Sequence, residues 1–201
     1  MKIERLRTRI ASDLHDDVAS TLSNISLLCE MAKRENEAEM EKILNKIGDD
    51  AHNALNAMDD IVWSVNPQND SLLSLAVRLR EFALPICELK GIALSLDVGE
   101  IDHNVKLGMD ERRNIYLIVK EAVINAVKHS KCTSLSVTFA VFRKYLEVKV
   151  IDDGCGFDTS LPTTRNGLVN MRRRASQTGG ELTFYSEKGK STTLTLKQKI
   201  I

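Results

Sequence analysis

The segment EAVINAVKHS (121–130) closes a strongly patterned stretch, Asp110–Ser130, that predicts a helix. Four chemically different polar side chains recur in this segment at i, i+4, i+7 and i+8, so they share one face of the predicted helix: Glu121, Asn125, Lys128 and His129. Such a face suits a magnesium triphosphate, because Mg²⁺ prefers hard oxygen ligands and keeps several waters. Any one of these residues alone would more simply lie on a solvated helix face.

A glycine loop follows downstream, in the run VKVIDDGCGFD (148–158). The run predicts a strand that ends at Asp152, and Gly154 and Gly156 after it would let the backbone approach a ligand closely. A carboxylate at the strand end can accept a hydrogen bond from an exocyclic amine. A tight turn explains this short pattern about as well.

A second glycine element, Asn166-Gly167-Leu168, opens the helical segment LVNMRRRA. Backbone amides at a helix N-terminus bind phosphate groups. One polar helix face followed by two glycine loops in this order favours a nucleotide site over unrelated turns. Arg172–Arg174 in the second segment are more simply solvated or phosphate-facing than a nucleic-acid patch, because the protein has no net charge.

Composition bounds the remaining possibilities. The chain has 201 residues, 43% of them hydrophobic, which is enough for a packed core and excludes a disordered tail. Its 28 Lys and Arg balance 28 Asp and Glu, which argues against binding held mainly by nucleic acid or acidic lipid. No apolar run is long enough to span a bilayer. The four cysteines match no zinc spacing and predict unpaired thiols, with Cys155 the one expected to be exposed.

Glycine and proline usage divides the chain near Pro67. Residues 1–66 hold one glycine and no proline, and their apolar residues recur at spacings of three and four on either side of a turn at KRENEAE (33–39). This pattern predicts an antiparallel helical hairpin. One hairpin buries only one face of each helix, so a second copy is expected to complete a dimeric four-helix bundle.

The second part mixes helices and strands. A linker is predicted at 67–71, where Asp70 or Ser71 can cap the next helix. Periodicity then predicts helices at 72–90, 110–130 and 167–178, and strands at 92–98, 135–142, 145–152, 181–186 and 191–199. This order of elements predicts an α+β fold, a two-layer sandwich.

Taken in order, the motifs of the second part resemble those of the GHKL ATPases. EAVINAVKHS is similar to their N box, IDDGCGF (151–157) to the first glycine box, and NGLVNMRRRA (166–175) to the second. GGELTFYSEKGKSTTLTL (179–196) resembles their final hairpin. The resemblance implies a two-layer α/β sandwich of the GHKL type that binds ATP and Mg²⁺.

The first part resembles one branch of that superfamily, the sensor histidine kinases of the NarX/DesK-like class. RIASDLHDDVASTL (9–22) is similar to their phosphoacceptor box, and IVWSVNP (61–67) to the end of their second dimerisation helix. The resemblance implies a dimerisation and histidine phosphotransfer domain at 1–66, the linker at 67–71, and a catalytic ATP-binding domain at 72–201.

The implied activity is that of a protein-histidine kinase. His15 would be the phosphoacceptor, and the adjacent Asp16 would orient the tautomer of its imidazole. A homodimer would then pass the phosphoryl group to an aspartate of a response regulator of the NarL/LuxR type, without binding nucleic acid itself. The family also implies a cytoplasmic kinase core of a longer receptor that is often anchored in the inner membrane.

The same resemblance assigns roles in the ATP site. Asp152 would accept a hydrogen bond from the adenine amine, Asn125 would ligate Mg²⁺, and Glu121 would support the metal or the phosphoryl transfer. The other residues that it assigns to the nucleotide pocket are Lys128, His129, Gly154, Gly156, Gly167, Leu168 and Thr192.

Three residues depart from the family pattern. Arg165 stands where the second glycine box usually has glycine, Ser191 interrupts the usual GxGT of the final hairpin, and Ser20 replaces a frequent glutamine. These departures motivate an alternative, a non-catalytic or weakly active GHKL-fold signalling module. An anti-sigma serine kinase shares the ATP fold, but such proteins lack a preceding helical hairpin with an HDD box.

Overall fold

The computed structural model describes residues 20–33, 36–99, 105–157 and 166–200. They belong to two compact units, Met1–Asn66 and Pro67–Ile201. His15 and Asp16 lie outside the described residues. Within the described ranges, no helix is long and apolar enough to cross a membrane.

The first unit contains two packed helices, α1, described over Ser20–Ala32, and α2 (Glu37–Val65). A hydrogen bond joins them, from Asn24 Nδ2 to Asp50 Oδ2 at 2.7 Å. The predicted helical hairpin is therefore confirmed over these residues. The turn is shorter than expected, since Asn36 caps α2 through the Glu39 amide and lets the helix begin within KRENEAE.

Much of the apolar surface of this hairpin is uncovered in the single chain. Large hydrophobic side chains on both helices are exposed: Leu22, Leu27, Met31, Met40, Leu44, Leu55, Met58 and Val62. Cys29 on α1 is exposed as well, so the expectation that only Cys155 would be exposed is wrong. The apolar periodicity of α1 does not predict that Cys29 is exposed, because packing within one hairpin covers only one face of each helix.

Over its described residues, the second unit contains three long helices and a five-stranded sheet. The elements are α3 (Leu72–Leu89), β1 (Ala93–Asp97), α4 (Met109–Asn125), a π-helical turn (Ala126–Ser130), β2 (Ser134–Phe142), β3 (Tyr145–Asp152), α5 (Asn166–Gln177), β4 (Glu181–Ser186) and β5 (Thr192–Lys199). The strand order is β1-β2-β3-β5-β4, with β1 parallel to β2 and the other pairs antiparallel.

One face of the sheet carries the core. Burial alternates along β2 and β3, as expected for strands with one covered face. Helix α3 contacts β1, α4 contacts β3, and α5 contacts β4. The fully buried side chains of this layer include Leu75, Leu79, Ile118, Leu135, Leu146 and Leu196. The predicted two-layer α+β sandwich is confirmed, and α3 continues through Pro85.

The segment predicted as a linker, 67–71, is hydrogen-bonded into the second unit. The Leu107 amide donates to the Asp70 carbonyl at 2.8 Å, and the Asp70 carboxylate pairs with the fully buried guanidinium of Arg112. Ser71 caps α3, because its Oγ accepts from the Ser74 amide at 3.0 Å. Of the two residues expected to cap, Ser71 does so and Asp70 instead fastens the segment to α4.

Candidate active site

Asp152 ends β3, and its side chain is buried. The Gly154 amide donates to its Oδ1 at 3.0 Å. Burial raises the pKa of the Asp152 carboxyl above its ordinary value, while the hydrogen bond from the Gly154 amide and the nearby hydroxyls of Ser130 and Thr192 oppose part of the rise. Ser130 Oγ also donates to the Ala126 carbonyl at 2.8 Å, so its single proton is already used. Thr192, which lies opposite Asp152 in the sheet register, is the other hydroxyl near this carboxylate.

The neighbouring Asp153 is exposed and has a different environment. It accepts from the amides of Thr133 and Ser134, both at 2.8 Å, and from Thr133 Oγ1 at 2.7 Å. These donors lower the pKa of the Asp153 carboxyl. Asp153 therefore fixes the loop before β2 by hydrogen bonds, whereas the side chain of Asp152 is buried.

Gly154 follows Asp152 and packs against the end of the π-helical turn. A Cβ at this position would lie 2.3 Å from the Ser130 carbonyl oxygen. The next amide, that of Cys155, donates to the same oxygen at 2.7 Å. Only glycine permits this approach, so the role of Gly154 in shaping the loop has a steric cause.

Gly156 packs against the turn between β4 and β5. Its φ is +55°, and a Cβ would lie 2.2 Å from the Glu187 carbonyl oxygen and 2.3 Å from that of Lys190. The Gly189 amide donates to the Cys155 carbonyl at 2.7 Å and holds the same contact. The loop after β3 is thus fixed between the end of the predicted N box and the final hairpin.

Glu121 and Asn125 form a hydrogen-bonded pair on the last turn of α4. Asn125 Nδ2 lies 3.1 Å from Glu121 Oε1, which leaves Asn125 Oδ1 as an acceptor. Glu121 also lies against the start of α5, since a Cβ on Gly167 would be 2.2 Å from Glu121 Oε1. The structure therefore brings the predicted N box and the second glycine box together.

Lys128 and His129 are displaced from the predicted common face. The sequence pattern predicts one α-helix through Ser130, but α4 ends at Asn125 and a π-helical turn follows, closed by Lys131 at φ +55°. A π-helix has more residues per turn, so the i+7 and i+8 positions no longer align with Glu121. Both side chains are exposed, and their place near phosphate stays a prediction.

Two further predicted residues lie at the edges of this region. Thr192 begins β5 directly opposite Asp152 in the sheet register and is half-buried. Leu168 is half-buried in the first turn of α5. Ser130 and Ser186 were not among the predicted site residues, although both lie inside the quoted motifs. Their contacts depend on which residues face each other after folding.

The side-chain oxygens of Glu121 and Asn125 suit a cation whose other ligands are water and substrate oxygens. Among the described residues there is no group of three or more His, Cys, Asp or Glu side chains that could hold a metal. Mg²⁺ needs no such cage, because it is usually held by one or two protein oxygens, substrate phosphates and water. Asn125 Oδ1 and the Glu121 carboxylate fit that requirement.

Family comparisons agree with this geometry. The family described as "Histidine kinase-, DNA gyrase B-, and HSP90-like ATPase" matches residues 110–200, and the family described as "Histidine kinase" matches residues 7–70. The chain is similar to the sensor histidine kinase LiaS of Bacillus subtilis, with 28% identity over 98% of this chain and 55% of that protein. It is also similar to ComP of Bacillus subtilis, with 25% identity over 93% of this chain and 25% of ComP.

Solved structures show the same fold. The Acinetobacter baumannii histidine kinase AdeS matches with a TM-score of 0.61 and 15% identity, over 92% of this chain and 98% of that one. Full-length ShkA in complex with AMPPNP matches with a TM-score of 0.63 and 14% identity, over 96% of this chain and 46% of that one. The chain spans about half the length, or less, of the curated relatives that it matches. With both family matches in the order that the motifs predict, the chain belongs to the two-component sensor histidine kinases, as a kinase core of the NarX/DesK-like class within the GHKL superfamily.

Proposed function

We propose that this chain is an ATP-dependent protein-histidine kinase. It phosphorylates itself on His15 and passes the phosphoryl group to an aspartate of a response regulator, of the NarL/LuxR type. The observation that carries this proposal is the convergence of three motifs: the Glu121–Asn125 pair lies against Gly167, and the loop after Asp152 lies against the end of the same helical segment.

Asp152 supplies base recognition in this proposal. Its carboxylate is buried at a strand end and keeps acceptor capacity beyond the Gly154 amide. An acceptor without a proton matches the exocyclic amine of adenine. Gly154 and Gly156 let the loop after Asp152 pack closely against Ser130 and the turn between β4 and β5, which would keep this loop out of the space for the nucleotide.

Asn125 and Glu121 supply the phosphate end. Asn125 Oδ1 would ligate Mg²⁺, and Glu121 orients the amide through the 3.1 Å hydrogen bond. The metal would neutralise charge on the β- and γ-phosphates. Since phosphoryl transfer depends mainly on positioning and charge neutralisation, few protein groups need to form covalent bonds. Lys128, His129 and the first turn of α5 at Leu168 would lie near the phosphates.

His15 supplies the nucleophile. One imidazole nitrogen attacks the γ-phosphorus of ATP, and the bond between that phosphorus and the oxygen that leaves with ADP breaks. Asp16 holds the proton on the other imidazole nitrogen. The phosphoryl group then moves from His15 to the carboxylate of the regulator. We assign both residues from the phosphoacceptor motif.

The hairpin would act as a dimer. The eight large apolar side chains exposed on α1 and α2 need more partner surface than one hairpin provides. A second copy would cover them in a four-helix bundle.

The alternative of a weakly active module rests in part on Ser191, which stands where relatives have glycine in the final hairpin. Among the described non-glycine residues only Lys131 and Arg143 have a positive φ, so serine is accommodated at 191 without backbone strain. Arg165 lies outside the described residues.

Labelling with γ-³²P ATP tests the proposal. A histidine kinase gives label on the chain that is lost in acid and kept in base, and that moves to the regulator when it is added. Label that survives acid on a partner protein indicates a serine kinase, and no label supports the module; either result contradicts the proposal. Light scattering on the same preparation should give twice the 22.5 kDa of the chain.

Asp152→Asn should separate stability from binding. Burial holds the pKa of Asp152 above the pKa of an aspartate in the unfolded chain. Once the pH exceeds that unfolded-state pKa, the buried carboxyl therefore lowers the free energy of unfolding. We expect the variant to be more stable at pH 7 and to bind ATP at least about tenfold more weakly, because hydrogen bonds to charged groups contribute about 1.5–3 kcal/mol.

Urea titrations at several pH values check the sign. The stability gain of Asp152→Asn should shrink as the pH falls through the folded-state pKa, where the unaltered chain also carries a neutral side chain. Asp153→Asn is the matched control. The pKa of that exposed carboxyl is lowered, so its loss should not stabilise the protein. A stability loss in Asp152→Asn at pH 7 would contradict this prediction.

A further inference from the structure

Three polar side chains lie in one row across adjacent strands. Asp152 on β3 is opposite Thr192 on β5, and Thr192 is opposite Ser186 at the end of β4. Ser186 Oγ and Thr192 Oγ1 are 3.0 Å apart. The Phe157 amide donates to Ser186 Oγ at 2.9 Å. The row therefore connects the buried carboxylate to the backbone at the end of the first glycine box.

Proton accounting gives this row one direction. A hydroxyl carries a single proton. The Phe157 amide donates to Ser186 Oγ, so Ser186 keeps its own proton for the 3.0 Å contact with Thr192 Oγ1. Thr192 in turn keeps its proton for the Asp152 carboxylate, its partner in the sheet register. The donors thus run from Phe157 through Ser186 and Thr192 to Asp152.

This direction matters for what the carboxylate offers to a ligand. Each hydroxyl that receives a hydrogen bond becomes a stronger donor to the next group. Asp152 then has donors on its protein side, from Thr192 and Gly154, and presents acceptors alone toward a base. An amine at C6 of a purine can donate to it, whereas a carbonyl at C6 cannot.

We propose that Ser186 is a positioning residue that determines base specificity: by donating to Thr192 it holds Asp152 as an acceptor for a 6-amino purine over a 6-oxo purine. This rests on the proposed function of Asp152. Ser186 itself does not touch the nucleotide. Its effect reaches the base through Thr192.

Nucleotide selectivity tests the proposal. The full chain, with Mg²⁺, is titrated with ATP and with inosine triphosphate, which carries a carbonyl at C6. We expect Ser186→Ala to weaken ATP binding about three- to tenfold, the effect of one net hydrogen bond, and to leave inosine triphosphate within about twofold. Ser186→Thr keeps the hydroxyl and should keep the ATP preference. Ser186→Val has the shape of threonine without the hydroxyl and should lose that preference.

Thr183→Ala is the matched control on the same strand. Its hydroxyl is exposed and contacts the Thr195 carbonyl at 3.4 Å, outside the row, so both affinities should stay unchanged. Equal losses for the two nucleotides in Ser186→Ala, or no loss, would overturn the proposal. The comparison of Ser186→Thr with Ser186→Val keeps the test decisive if Ser186→Ala folds poorly.

The Asp152→Asn background distinguishes the role of Ser186 from that of Asp152. If Asp152→Asn leaves the ratio of ATP to inosine triphosphate affinity unchanged, the proposed role of Asp152 fails. If Asp152→Asn lowers the ratio and Ser186→Ala does not, only the role of Ser186 fails. We expect both single variants to lower it, and Ser186→Ala to have no further effect on the ratio once Asp152 is asparagine.

Discussion

His15→Ala should reduce phosphorylation of the chain to background while ATP affinity stays within about twofold of the unaltered protein. The substitution removes the nucleophile, and no other group in the proposed mechanism can accept the phosphoryl group. The nucleotide contacts proposed above all belong to Pro67–Ile201, whereas His15 belongs to the hairpin unit. Binding and labelling should therefore separate completely.

His52→Ala is the matched control for this experiment. His52 is an exposed histidine on α2, in the same unit, without an adjoining phosphoacceptor motif. We expect it to leave the rate of labelling and the acid lability of the label unchanged. Acid-labile label that persists in His15→Ala, or that disappears in His52→Ala, would remove the assignment of His15.

The layer order of the second unit was predictable because periodicity reports burial directly. The alternation along β3 buries Leu146, Val148 and Val150, and the same period of two continues to Asp152. The same alternation predicts from the sequence that Asp152 is buried and Asp153 is exposed. Strand β4, with its turn after Ser186, was predicted with its observed bounds.

Other features depend on partners that are distant in sequence. Asp70 pairs with Arg112, and a sequence pattern gives no sign that residues 42 positions apart will meet. The change from α to π geometry at Ala126 is equally hidden, because apolar spacing does not specify which carbonyl each amide will use. Ser186 resembled an ordinary strand residue. Its contact with Thr192 follows from register, which the turn after β4 fixes only in the folded chain.

Gly156→Ala should be the most damaging single-methyl change in the second unit. The residue has φ +55°, which costs an alanine about 1–2 kcal/mol. Its new Cβ would also lie 2.2 Å from the Glu187 carbonyl oxygen and 2.3 Å from that of Lys190. Both atoms are backbone, and the Lys190 amide donates to the Glu187 carbonyl at 2.9 Å, so neither can move without breaking the turn.

We expect Gly156→Ala to lower the free energy of unfolding by about 2–5 kcal/mol, since overpacking typically adds about 1–3 kcal/mol to the backbone term. The loop after Asp152 must also move away from the final hairpin, so ATP affinity should fall more than about tenfold even at temperatures where the variant is folded. Urea titration by circular dichroism and nucleotide titration measure the two effects.

Gly189→Ala separates the two causes, because Gly189 lies in the contacted turn with φ +84° but a Cβ there would have nothing within 4 Å. It should cost only the backbone term, about 1–2 kcal/mol, and retain most ATP affinity. Gly48→Ala in the interior of α2 also meets no neighbour and should stabilise the first unit by about 0.5–1 kcal/mol. If Gly156→Ala costs no more than Gly189→Ala, the loop after Asp152 does not rest on the hairpin, and the arrangement that supports the ATP site would have to be abandoned.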